Sequence, residues 1–324
     1  FMSNQLGERG TEVAMYDYAH YNEKMLGNNS IILYYKDHYF NNDKAIEKFK
    51  KRFKVYGILE KEEVDAILKE NNIDIFYYIH GGGANDGIIS NIAKNCVHAV
   101  FHGCEKHGDA YASVSKYVPN NNTIDVVPHM VNLPNNLNNM REELNIPKDA
   151  LVISGYGGRD SFNIKYVQEM VYDIAKNNPD IYFLFANFDK FTPEIKNIIY
   201  LEKIVDLEKK VAFINTSDAM IWAQRLGETF GLAIAEFSSK NKPVIASKVG
   251  GCQAHVEILG DKGLWYHDSK SLKNIILDLN LHKNDIQTKD WNAYKEFTPY
   301  KVMSQFKKVF IDPFTINSNV YKEK

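Results

Sequence analysis

The chain reads as an α/β protein built from two doubly wound, Rossmann-like domains. Short apolar runs rich in β-branched and aromatic residues alternate with helical periods along almost the whole length, the pattern of parallel strands joined by helical crossovers. The alternation restarts at residue 151, after a stretch rich in Asn and Pro, 133–147, that reads as a linker. At 324 residues the chain also exceeds what one hydrophobic core usually organises. The expected division is an N-terminal domain over 1–135, a second domain over 148–290, and a helical segment over 291–324 that packs back on the first.

In the first half, Phe1-Met2-Ser3 looks like the end of a strand whose beginning lies upstream. The loop GERGTE follows, then a helix that Thr11 caps and that runs to about Leu26, then a strand over 30–35. A strand, a glycine turn and a helix open a doubly wound domain, so Gly7 and Gly10 stand where a phosphate or sugar can approach, although a plain tight turn explains them equally. Residues 43–56 set six lysines and arginines around Ile46, Phe49 and Phe53 at helical spacing, a solvated helix with one buried face.

The run 73–79 ends in His80-Gly81-Gly82-Gly83, an oxyanion-loop signature, but no G-x-S-x-G supplies a nucleophile and a hydrolase is excluded. A strand over 97–101 delivers His102 to a cleft. The His, Cys and Glu that follow it have the spacing of neither zinc fingers nor H-E-x-x-H, so no metal is expected. Strands over 111–115 and 123–127 complete the half.

The second half begins with a strand over 151–154 and the loop GYGGRD. That loop has Asp160 where a dinucleotide fingerprint needs glycine, which disfavours a nicotinamide dehydrogenase. Arg159 and Lys165, six positions apart, flank the loop and the start of a helix over 164–177, where two cations can close on a diphosphate. Strands are expected over 181–185, 211–214 and 263–266, a short helix over 218–223, and closing helices over 271–281 and 300–310 with Trp291, Tyr294 and Phe297 between them.

Composition bounds the partners. Hydrophobic residues at 44% and charged residues at 25% are those of an ordinary soluble globular protein, and a formal charge of −2 gives no pull toward nucleic acid. A peripheral membrane contact would need a local patch that the net charge does not support. Cys96, Cys104 and Cys252 are odd in number with no paired spacing, which fits a reducing compartment and hence the cytoplasm. No apolar run reaches the length of a membrane span.

The most informative stretch is 227–251, GETFGLAIAEFSSKNKPVIASKVGG. Glu228 is expected in a loop, Thr229, Phe230 and Gly231 follow it, and Gly231 lets backbone come close to a ligand. The apolar run 232–235 then starts a helix whose free N–H groups face that loop, with Glu236 about a turn inside. One carboxylate at the mouth and one behind it suit a ligand with two hydroxylated ends, such as a nucleotide sugar.

This stretch, with the cation pair upstream, resembles the retaining GT-B glycosyltransferases of family 4. Its E-x7-E motif contains FG and is followed by P-V-I-A-S and G-G, while Ala99-Val100-Phe101-His102 resembles the family's strand and cleft histidine. Gln224-Arg225-Leu226-Gly227 replaces the usual proline-serine before the first glutamate. The resemblance implies GT-B architecture, two doubly wound Rossmann-like domains facing across a cleft. It implies a retaining, metal-independent transfer from a UDP- or GDP-linked sugar to a hydroxyl of a glycan or glycoconjugate acceptor, with no cofactor beyond the donor. By resemblance Glu236 holds the ribose, Arg159 and Lys165 the diphosphate, Glu228 with Thr229, Phe230 and Gly231 the sugar, and Gly7, Gly10 and His102 add donor contacts. A nucleotide-sugar epimerase and a non-catalytic sugar-nucleotide or glycan-binding protein are the alternatives.

Overall fold

The computed structural model describes residues 1–7, 9–85, 87–118 and 124–315, and the chain divides into two units, 1–130 with 296–324 and 131–295. Thr123, expected to open a strand, lies outside the described residues.

The first unit runs α1 (Gly10–Leu26), β1 (Ile31–Tyr35), α2 (Asp43–Lys50), β2 (Lys54–Ile58), α3 (Glu63–Glu70), β3 (Ile75–His80), β4 (Lys94–Ala99), β5 (Ala110–Ser113) and β6 (Asp125–Val126). β1 pairs with β2, and a second ladder runs in the order β3-β4-β5-β6, all parallel. Met2 joins the two pieces: it bridges Leu33 of β1 and Tyr78 of β3, its N–H donating to the Tyr77 carbonyl at 2.8 Å. The expected strand at the start of the chain is thus the middle of the sheet.

Two expectations fail here. Thr11 lies inside α1, whose cap position is Arg9 with no side-chain hydrogen bond to the helix. The helix expected over 43–56 stops at Lys50, because Val55, Tyr56 and Ile58 fit a pleated ladder and pair with β1. The basic side is partly engaged with α1, Arg52 pairing with Glu23 at 2.6 Å and Lys48 lying over the Tyr16 ring. The HGGG turn has a packing explanation. Gly82 has φ +98°, and a Cβ there would lie 2.5 Å from that of Ala99.

A buried polar chain ties the unit together. The Tyr77 hydroxyl meets His98 Nδ1 at 2.6 Å, and His98 Nε2 lies 2.8 Å from the Val127 carbonyl. A carbonyl only accepts, so Nε2 carries the proton and Nδ1 accepts from Tyr77. Burial takes His98 down to about 3 and keeps it neutral. The helix Pro299–Phe310 closes over this chain with Phe306 and Phe310, and the Cys96 thiol donates to the Phe310 carbonyl at 3.5 Å.

The second unit runs β7 (Leu151–Tyr156), α4 (Lys165–Asn177), β8 (Ile181–Ala186), β9 (Ile198–Leu201), α5 (Leu207–Thr216), β10 (Ala219–Ile221), β11 (Gly227–Glu228), α6 (Leu232–Ser239), β12 (Val244–Ser247), β13 (Cys252–Gln253), α7 (Ala254–Leu259), β14 (Gly263–Tyr266) and α8 (Ser269–Leu281). Its parallel sheet has the order β14-β12-β10-β7-β8-β9, so strand order reverses beside β7. Residues 211–214 belong to a helix instead of a strand, because Asp206 accepts from the Lys209 N–H and starts α5 upstream. The helix expected over 218–223 is β10, whose Met220 and Ile221 pair with β12. Trp291 and Tyr294 do not sit between closing helices. Ser238 of α6 donates to the Trp291 carbonyl, and the Tyr294 hydroxyl donates to the Phe230 carbonyl at 3.1 Å. Phe297 is half-buried.

Removing the Tyr77 hydroxyl leaves His98 Nδ1 buried without its donor. Tyr77→Phe is expected to lower stability by about 1–3 kcal/mol, read as a lower urea midpoint at unchanged slope. An unchanged midpoint would show that the chain of hydrogen bonds does not hold the unit.

Candidate functional site

In a doubly wound sheet the loops at the carboxyl ends of the strands, beside the reversal of strand order, form the ligand site. In the second unit these are the loops after β7, β10 and β12, and they carry Arg159, Glu228 and Gly250.

Glu228 is not in a free loop. Gly227 and Glu228 form β11, paired in parallel with Cys252 and Gln253. Two glycines permit the approach. Gly227 has φ +81°, and a Cβ on it would fall 2.0 Å from the Cys252 carbonyl oxygen; Gly250 has φ +92°, and a Cβ would fall 2.3 Å from the Leu226 carbonyl carbon. Neither position admits a side chain. Of the paired glycines, Gly250 thus lies at a backbone crossing, while Gly251 is exposed.

The Glu228 side chain is half-buried, and its Oε1 accepts from Trp222 Nε1 at 2.8 Å. Burial pushes its carboxyl up to about 7, with the indole N–H pulling the other way. Thr229 is half-buried, Phe230 is buried, and Gly231, with φ +80°, is the cap position from which α6 starts. These four residues and Glu236 are brought together by one continuous stretch.

Glu236 is one turn into α6, as its spacing predicts, yet it is only 4% exposed. Its Oε1 pairs with Lys210 Nζ at 2.9 Å, both side chains almost fully buried, and the same ammonium lies 5.5 Å from the centre of the Tyr156 ring at the end of β7. Sequence reasoning missed Lys210. The available signal was Asp206 as a helix cap, which would have placed Lys210 on α5. Arg159 and Lys165 are exposed at the loop after β7 and the first residue of α4. Arg159 donates from Nε and Nη2 to Asp189 Oδ1 at 2.9 and 2.7 Å, and Lys165 lies 3.9 Å from Glu169.

Gly7, Gly10 and His102 belong to the first unit. His102 is exposed beyond β4, which ends at Ala99 instead of Phe101, and Gly10 is the exposed first residue of α1. Gly7 is buried, and a Cβ there would lie 3.0 Å from the Phe40 carbonyl oxygen and 3.5 Å from Glu12 Oε2. Glu12, overlooked in the sequence, lies fully buried beneath this loop and accepts from Ser3 and Gln5. Burial lifts it to about 7. Among the described residues no three His, Cys, Asp or Glu side chains are grouped to hold a metal ion, and no helix is long and apolar enough to cross a membrane.

No protein-family model and no curated protein sequence matches the chain. Solved structures do. A glycosyltransferase from Rickettsia africae is 17% identical with a TM-score of 0.69, covering 96% of this chain and 99% of that one. Anabaena Alr3699/HepE in complex with UDP-glucose is 12% identical with a TM-score of 0.69, covering 95% and 97%. A Listeria monocytogenes protein assigned as a UDP-N-acetylglucosamine 2-epimerase is 14% identical with a TM-score of 0.60, covering 95% of each chain. The similarity establishes the GT-B fold, mixed α/β with two Rossmann-like units.

The raised Glu228 fixes a sign. The unfolded carboxyl loses its proton near 4.5 and the folded one near 7, so between these values the unfolded state binds fewer protons and stability falls as pH rises. Glu228→Gln removes this penalty. It is expected to gain about 1–3 kcal/mol at pH 8 and nothing at pH 4, measured by urea unfolding at both; parallel pH curves would count against the burial.

Proposed function

We propose that the chain is a retaining glycosyltransferase of the family-4 kind, moving a sugar from a UDP- or GDP-linked donor to a hydroxyl of a glycan or glycoconjugate. The observation that carries this is the arrangement of two carboxyls on 227–236: Glu228 held near neutrality beside Trp222, and Glu236 buried against Lys210. The fold supports it, being shared over nearly the full length with a glycosyltransferase and with a protein crystallised with UDP-glucose.

In this reading Glu236 accepts hydrogen bonds from the ribose diol, while its Oε1 stays paired with Lys210 at 2.9 Å. Arg159 and Lys165 neutralise the leaving diphosphate. The Arg159–Asp189 pair is exposed, and exposed pairs contribute about 0–1 kcal/mol, so a diphosphate takes over the guanidinium at little expense. The charge of the leaving group is met by side chains, and the reading needs no metal. Phe230 and Gly231 hold the sugar through the backbone. Glu228 is assigned to the anomeric centre, where its carboxylate form, well populated at neutral pH, stabilises the positive charge that develops. Charge placed in advance at such a point contributes on the order of 3 kcal/mol. Gly7, Gly10 and His102 are assigned donor contacts by resemblance alone.

Retention follows from attack of the acceptor on the face that the leaving group vacates. The second reading, a nucleotide-sugar epimerase, is favoured by the Listeria neighbour. Incubating donor alone separates the two, because an epimerase converts it without acceptor.

The first experiment is a thermal-shift screen of UDP, GDP, ADP and their sugars, since a ligand bound only by the folded form raises its stability. With the nucleotide so found, Glu236→Ala is expected to weaken binding tenfold or more, about 1–3 kcal/mol; unchanged affinity would remove the ribose assignment. The double variant Arg159→Ala, Lys165→Ala is expected to lose turnover with its fold intact, and full activity would remove the diphosphate role.

A further inference from the structure

The Glu228 carboxyl is anchored by a single rigid donor. Trp222 directly follows β10 and is 5% exposed. Its N–H donates to the Ile245 carbonyl at 2.9 Å, and its carbonyl accepts from the Tyr266 hydroxyl at 2.8 Å. Its ring packs against His255 with centroids 4.5 Å apart. His255 is fully buried, with Nε2 3.1 Å from the Ser247 carbonyl, so the imidazole donates there and stays in place. Burial takes this histidine down to about 4, so the wall behind the indole is uncharged. The indole is thus held by two backbone hydrogen bonds at its own residue and by packing on His255.

An indole N–H is a donor only, and it holds Glu228 Oε1 at 2.8 Å. Among the described residues, two further titratable groups that feel Glu228 are Cys252 on β13 and Tyr294 beyond α8. Both are raised by burial and by Glu228 itself, and so remain uncharged near neutrality. β11 fixes the backbone of Glu228 and Trp222 fixes the end of its side chain.

We infer that Trp222 is the positioning residue of this site: it takes one oxygen of Glu228 and thereby aims the other at the anomeric carbon of a bound sugar. This rests on the role of Glu228 given above. The substrate is touched by Glu228, and Trp222 acts through it.

Carbon-13 NMR of Cδ-labelled glutamate reads the titration directly, with the Glu228 signal identified by its loss in Glu228→Gln. Trp222→Phe removes the N–H and is expected to raise the Glu228 midpoint from about 7 by roughly one pH unit. Turnover of UDP-glucose, followed by UDP release, is expected to fall about tenfold in kcat with KM little changed. Replacing Trp222 with β-(3-benzothienyl)alanine keeps the bicyclic ring and loses only the N–H, so it must shift the midpoint equally, which a packing defect would not do. An unchanged midpoint in both variants overturns the inference. A shifted midpoint together with undiminished turnover in Glu228→Gln overturns the role of Glu228 in transfer, and the positioning role with it, leaving the hydrogen bond as structure only.

Discussion

Two loops of the second unit meet backbone to backbone, and the candidate site depends on that contact. Gly227 and Gly250 adopt positive φ, and there is no room for a Cβ at either. The crossing lets Gly227 and Glu228 pair with Cys252 and Gln253, a ladder of only two residues. From that ladder Glu228 projects toward Trp222, and three residues later Gly231 turns the chain into α6. A β-branched residue at 227 would displace the first glutamate and the helix start together, because both are set by the same short piece of backbone.

Two buried acids, Glu12 and Glu236, and the half-buried Glu228 are accommodated in three ways. Glu236 is paired through Oε1 with Lys210, an arrangement that adds little net stability, while the loss of either partner typically costs about 3–5 kcal/mol by leaving a buried charge alone. Glu12 is met by neutral donors and rises to about 7. Glu228 has the indole N–H against its burial and reaches a similar value. An acid near its midpoint at neutral pH answers to whatever charge a ligand brings, and one held against a buried ammonium answers less. The difference separates a group suited to respond from a group suited to hold.

Much of the architecture was legible because parallel strands buried on both faces read as continuous apolar runs, and β7, β8 and β14 stand close to where their sequences place them. The errors fall where a short apolar run fits both periods. Residues 211–214 and 219–221 are such runs, and their identity was decided by Asp206 capping one and by sheet pairing of the other. That Glu236 lies about a turn inside its helix was legible in the sequence. Lys210, Trp222 and Glu12 were not, because their significance arises only when folding brings α5 against α6, the end of β10 against β11, and a helix start beneath a glycine loop.

The first unit takes its middle strand from residues 1–3 and its closing helix from residues 299–310, whereas the second is one uninterrupted stretch. On the ribosome this reverses the order in which the units are finished. The second has its whole sequence before the first has its last helix, so the buried Tyr77 and His98 chain waits, uncovered by Phe306 and Phe310, through nearly all of synthesis.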